Sequence, residues 1–137
     1  MTIKVTVHSS KDFEKRLDRI AKLYADELTA AMEENAKELY DDSQEIVPVR
    51  TGELRKSGRV EKIERKTYAK YLVTYSAEHG LWVHEMDEDT TNWTTPGTGS
   101  KFLEKPMRRK KHSFRRRIRK RLRSVSRKSR KTGYGRR

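Results

Sequence analysis

Residues 11–48 read KDFEKRLDRIAKLYADELTAAMEENAKELYDDSQEIVP and decide the fold. The apolar side chains of this stretch recur at steps of three and four, which is the spacing of one face of an α-helix. They are Phe13, Leu17, Ile20, Tyr24, Leu28, Ala31, Met32, Leu39 and Ile46. Neither Gly nor Pro occurs between Lys11 and Val47. The pattern predicts one amphipathic helix of about 50 Å, or two helices with a bend near residues 34–35.

Both ends of this helix carry signals in the sequence. Ser9 and Ser10 are suitable N-caps, and Asp12 stands three residues after Ser9. At the other end, Pro48 disfavours the helical conformation of Val47, so the helix should stop there.

The segments around the helix favour short strands and a second helix. Before it, Ile3, Val5 and Val7 alternate with polar residues, which is typical of a strand with one buried face. After Pro48, we expect a short helix that starts at Thr51 as its cap and ends at Gly58 in a left-handed turn. Period-two patterns predict strands at residues 60–63, 68–75 and 81–85, with a turn at 78–80.

A loop of about 15 residues, Met86–Ser100, follows the last predicted strand. A loop this long in a small domain is usually functional or disordered. An exposed Trp in such a loop is costly unless it packs on something. Trp93 should therefore either contact another subunit or fold back over its own sheet. The candidate subunit contacts are Trp93, Thr94, Thr95 and Pro96.

The last third of the chain is strongly basic. Residues 101–137 contain 19 Lys and Arg against one acid, Glu104, whereas residues 1–100 contain 15 against 19 Asp and Glu. An apolar stripe with steps of mostly four predicts a third helix at 106–125, and residues 126–137 should form a flexible tail. The helix residues expected to face DNA or a protein partner are Arg115, Arg116, Arg117, Arg119, Lys120, Arg121 and Arg123.

This charge distribution indicates contact with a polyanion, of which nucleic acid is the commonest large example. A solvated basic tail is the alternative. The 137 residues suit one domain, and the low apolar content of 32% favours assembly with copies or partners. The chain has no Cys and no apolar run of membrane-spanning length. The spacing of its His and acidic residues fits no metal site, nucleophile elbow or phosphate loop, so we expect no enzyme activity, metal or cofactor.

Three stretches carry a family resemblance. Val47–Ser57 (VPVRTGELRKS) resembles a VP-x-x-TG-x-L-x-x-S signature, and Tyr75 leading to Val83-His84-Glu85 resembles a strand that runs into a YVHE step. Thr94–Pro106, with its KFLE, resembles a closing G-x-KFLE-x-P segment. Together they resemble the head–tail joining, or tail-completion, proteins of the neck of tailed bacteriophages, which are also called minor capsid or minor tail proteins.

The resemblance implies structural roles for the motif residues. They are Pro48, Thr51, Gly52, Leu54, His84, Glu85, Phe102 and Leu103. We expect an α+β fold in which a long N-terminal helix and a basic C-terminal helix pack on a small, mainly antiparallel sheet. Residues 1–107 would form this domain, and residues 108–137 the basic helix and flexible tail.

The function that the resemblance implies is structural. The chain would form a ring in the virion neck, sixfold to match the tail or else twelvefold, after assembly in the bacterial cytoplasm. Its partners would be other copies, the head-side connector, the tail tube or tail terminator, and the DNA in the channel, with no membrane. The alternative is a free-standing, sequence-independent nucleic-acid-binding protein with a basic C-terminal arm.

Overall fold

The computed structural model describes residues 2–4, 10–66, 69–88 and 91–133, with the backbone alone at 132–133. The elements are α1 (Lys11–Ile46), α2 (Glu53–Lys56), β1 (Gly58–Glu64), β2 (Ala69–Tyr75), α3 (Gly80–Glu85) and α4 (Glu104–Gly133). This is the α+β fold expected from the sequence. Of the predicted N-terminal strand, Val5 and Val7 lie outside the described residues, and Ile3 is exposed and in no strand.

The long helix is one continuous element of 36 residues. Ser10 caps it in an extended conformation, and its hydroxyl accepts a hydrogen bond from the backbone N–H of Phe13 at 3.1 Å. The helix ends at Ile46, and Val47 is already extended, with ψ 128°, because it precedes Pro48. Both predicted ends are confirmed.

The start of α2 differs from the prediction. Its N-cap is Gly52, with a left-handed φ of 80°, rather than Thr51, whose hydroxyl only accepts a long 3.4 Å bond from the N–H of Glu53. Gly58 was expected to be left-handed, but it begins β1 with a negative φ. A side chain at Gly58 would collide with its surroundings, because its Cβ would lie 2.8 Å from the Tyr75 ring and 2.9 Å from the Tyr40 ring.

β1 and β2 form an antiparallel hairpin in which Gly58 pairs with Tyr75 and Glu64 with Ala69. The hairpin packs on α1. The predicted third strand at 81–85 is wrong, because these residues form α3 after a turn in which Gly80 N–H donates to the carbonyl of Ala77. In so short a segment, alternation and helical periodicity are hard to distinguish.

The basic helix is longer than expected. α4 begins at Glu104 and continues to Gly133, so most of the predicted flexible tail is helical, and residues 134–137 lie outside the described part. Val125 is fully buried, which ties the second half of α4 to the protein. Arg and Lys are also good helix formers. α4 lies antiparallel to α1, since Arg109 reaches Asp42 while Arg121 reaches Glu27.

Candidate nucleic-acid or partner interface

α4 has two chemically different faces. Its inner face includes Phe114 and Val125, both buried. Its outer face carries a basic stripe whose members line a shallow groove of about 750 Å³: His112, Arg116, Arg119, Lys120, Arg123, Ser124 and Arg127. Among the residues that the structure describes, no acidic side chain lines this groove. The stripe extends along about 22 Å of the helix axis.

Part of the positive charge of α4 is neutralised by α1. Arg121 contacts Glu27 at 3.2 Å and Glu34 at 2.8 Å through its two terminal nitrogens. Lys110 contacts Glu38 at 2.6 Å and also approaches Asp42 at 3.3 Å. These ion pairs connect the two long helices along their shared length and fix the rotation of α4 about its axis.

A second arginine completes this set of interhelical contacts. Arg117 contacts Glu38 at 2.5 Å and donates to the side-chain oxygen of the buried Asn35. Hydrogen bonds from Lys110 and then Arg117 lower the pKa of Glu38. Hydrogen bonds to Glu34 and Glu27 raise the pKa of Arg121. These hydrogen bonds thus favour the charged forms of Glu38 and Arg121.

The seven basic residues expected to face DNA or a partner therefore divide into two groups. Arg117 and Arg121 are half-buried and bonded to α1. The other five are exposed: Arg115, Arg116, Arg119, Lys120 and Arg123. His112 and Arg127 also belong to the stripe and were not predicted from the sequence. The acids of α1 that pair with α4 were not predicted either, although they follow one another at steps of seven, four and four: Glu27, Glu34, Glu38 and Asp42.

The residues of the three resemblance stretches meet in one small core. Val47, Leu54 and Phe102 are buried together, and Leu103 is partly buried against them. The Phe102 ring meets the ring of His84 edge-on, with centroids 4.9 Å apart. Because these residues pack on one another, they act as structural residues that join α1, α3 and the start of α4.

Around this core, polar contacts hold the chain on either side of α3. The backbone N–H of Lys101, which has a left-handed φ of 54°, donates to the carbonyl of His84 at 2.9 Å. The ammonium of Lys101 also pairs with Glu85, and this bond lowers the pKa of the Glu85 carboxyl. These bonds fix the approach of the chain to α4.

The loop that carries Trp93 folds against its own chain. The hydroxyls of Thr94 and Thr95 donate to the carbonyl of Val49 at 3.3 and 3.4 Å. Trp93 is half-buried beside Gly99, and its indole Nε1 has no hydrogen-bond partner among the described residues. Pro96 is exposed at the loop surface. A subunit contact through Trp93 and its neighbours stays a prediction.

Two large apolar side chains of α3 face solvent. Leu81 is 77% exposed and Trp82 is 69% exposed. In the part of the chain that the structure describes, no cluster of His, Cys and acidic residues has the arrangement of a metal site. Nor is any helix there apolar and long enough to cross a membrane.

Comparison with known proteins identifies the family. Residues 11–85, from the start of α1 to the end of α3, match the family model described as "Bacteriophage HK97-gp10, putative tail-component". The chain belongs to this family. Membership in this phage tail-component family gives the chain a structural role in a bacteriophage, among other phage structural proteins. Comparisons with curated proteins and with solved structures gave no significant match.

The tail-component family match contains the first two resemblance stretches and more than half of the chain. It ends at Glu85, so Phe102, Leu103 and all of α4 lie beyond it. The basic stripe must therefore be interpreted from its own chemistry.

Proposed function

We propose that this chain is a structural component of the neck of a long-tailed phage. It joins the head-side connector to the tail tube or tail terminator, as one subunit of a sixfold or twelvefold ring around the DNA channel. Membership in a phage tail-component family supports the structural role. The exposed Leu81 and Trp82 provide apolar surface for neighbouring proteins.

The observation that carries the proposal is the basic stripe on the outer face of α4. Its exposed cations lie on a helix that α1 holds in place, and none of them is neutralised by an acid within the stripe. Such a surface contacts phosphates without reading bases, which is what a channel for any phage DNA sequence requires. A ring would place several copies of the stripe around one duplex.

A second candidate function rests on the same stripe. A free-standing nucleic-acid-binding protein would use it on any polyanionic backbone, without a ring or phage partners. The two functions differ in where the protein is found and in what it binds besides DNA.

Charge reversal tests the proposal directly. The stripe variant is R116E/R119E/R123E, and its matched control is R59E/R65E/K66E, which makes the same charge change at exposed positions on and just after β1. We expect the stripe variant to lose DNA binding and the control variant to keep it. In phage particles it should reduce DNA retention or delivery. For the unchanged protein, log affinity should fall with log salt by about 0.9 per phosphate contacted.

Other results would redirect the interpretation. If the purified protein shows no salt-dependent DNA binding, yet the stripe variant blocks the joining of heads to tails, the stripe meets an acidic surface of an adjacent ring. If particles that lack the protein assemble and infect normally while the purified protein binds DNA, the neck proposal is wrong and the second candidate stands.

A further inference from the structure

An apolar groove opens between α1, β2, α3 and α4. It has a volume of about 990 Å³, and its apolar lining includes Met32, Leu39, Val73, Phe102, Met107 and Ile118. Met107, on its α4 side, is 48% exposed. A groove of this size, with apolar walls on helices and a strand, suits an amphipathic helix as its occupant.

The first half of α1 presents the matching surface. Phe13 is 54% exposed and Leu17 is 50% exposed, although both belong to the apolar stripe of the helix. Because they are four residues apart, they lie on the same face. Leu17 precedes Leu39 of the groove by 22 residues on one continuous helix, a separation of about 33 Å. The apolar side chains of Phe13 and Leu17 therefore cannot reach the groove of their own chain.

Charge complements the apolar match. Arg108, Lys111 and Arg115 line the α4 side of the groove, where Arg108 is already paired with Glu104. Among the described residues, Lys111 and Arg115 form no ion pair. On α1, Asp18 lies along one side of the Phe13–Leu17 stripe, next to Glu14, which has a contact of its own. An inserted helix can thus place Asp18 against Lys111 and Arg115.

We propose that the first half of α1 from one copy lies in the apolar groove of a second copy. The proposal rests on the ring proposed above and specifies its subunit contact. Two different surfaces meet in this contact. In the ring proposed above the contact runs head-to-tail, so that every copy uses both surfaces, whereas a reciprocal exchange between two copies would stop at a dimer. Such a contact closes into a ring when the rotation between copies allows it.

Cysteine crosslinking tests the contact in the full chain, which has no native Cys. The double variant L17C/M107C should form a ladder of covalent multimers with a short bis-maleimide reagent. A crosslink within one chain is not possible. Arg109 contacts Asp42, which is about 37 Å along α1 from residue 17. Residue 107 precedes Arg109 on the antiparallel α4 and is therefore at least as far from residue 17. A mixture of the two single variants should give dimers only. K22C/M107C, with Lys22 on the opposite face of α1, should give no ladder.

Substitution gives an independent measurement. L17D should weaken self-association at least tenfold, as measured by sedimentation. L23D is the matched control and should leave self-association unchanged, because Leu23 is similarly exposed, at 44%, but lies outside the Phe13–Leu17 stripe. Crosslinking of L17C with itself, or equal effects of L17D and L23D, would overturn the proposed contact. The neck function would survive that result if the charge-reversal variant of the basic stripe, R116E/R119E/R123E, still reduced DNA retention in phage particles. A ladder from a protein that is absent from phage particles would leave the contact intact and reject the neck function.

Discussion

The hydroxyl of Tyr75 on β2 lies 2.6 Å from the hydroxyl of Ser43 on α1. Ser43 donates its own hydrogen to the carbonyl of Tyr40, so Tyr75 must be the donor in the shared bond. Gln44 in turn donates to the Tyr75 hydroxyl at 3.1 Å. Burial raises the pKa of Tyr75, which keeps the phenol protonated. This network joins the hairpin to the long helix.

Replacing Tyr75 with Phe should destabilise the protein by about 1–3 kcal/mol, because Ser43 and Gln44 lose a partner in a partly buried site. Tyr40→Phe is the matched control, since the Tyr40 hydroxyl makes one long bond among the described residues, to the carbonyl of Gly58 at 3.4 Å. Urea denaturation measures both free energies of unfolding. Equal losses of unfolding free energy in the two variants would show that the hydrogen bonds of Tyr75 to Ser43 and Gln44 do not stabilise the fold more than the long bond of Tyr40 does.

Phe102 and Leu103 should differ when each is replaced with Ala. Phe102 is buried, and its ring contacts the rings of Tyr75 and His84, so Phe102→Ala should cost about 3–5 kcal/mol. Leu103 is only partly buried, so its replacement should cost clearly less. If both losses were within about 0.5 kcal/mol, the usual range for surface changes, the packing of α4 on the core would be wrong.

Gly58→Ala should destabilise the protein by about 1–3 kcal/mol through overpacking between α1 and the hairpin. The new methyl would stand 2.5 Å from Gln44 Nε2 and 2.8 Å from the Tyr75 ring. Gly97→Ala is an informative comparison, because its site is open but its φ is 81°, so that any loss comes from backbone strain alone. Crystal structures of both variants, with their melting temperatures, would separate the two causes.

Acid should weaken the contact between α1 and α4. The pKa of Glu38 is lowered in the folded protein, so its stabilising contribution is present above its unfolded pKa of about 4.3 and is lost as pH falls through the lower folded pKa. Stability measured from about pH 6 to about pH 2 should fall less steeply in Glu38→Gln than in the unchanged protein. An unchanged slope would mean that Lys110 and Arg117 do not hold this carboxylate in solution.

The sequence predicted the long helix well, because its apolar period continues from Phe13 to Ile46 without Gly or Pro, and Ser10 and Pro48 mark its ends. It could not distinguish helix from strand at Gly80–Glu85. Six residues are too few to separate the alternation of a strand from the periodicity of a helix, so tertiary packing decides the structure there. The length of α4 was underestimated because residues 126–133, after Val125, carry no apolar period that marks them as helical.

For the candidate interface on α4, the sequence predicted which residue types are present but not which of them face solvent. Seven cations were identified, but their division between α1 and solvent depends on contacts such as that of Arg121 with Glu27, 94 residues away in sequence. Such pairs follow from the antiparallel packing of α4 on α1. Helical spacing alone could place the acids of α1 on one face, but it could not identify their partners.

The burial of Val125 and the bonds of Arg117 to α1 also determine how α4 responds to a ligand. A disordered basic arm loses conformational entropy each time it binds, and this loss weakens its affinity. In this protein, folding has already ordered α4 as a rod of about 45 Å. The basic stripe is thus preorganised, and we expect it to bind a polyanion without this loss.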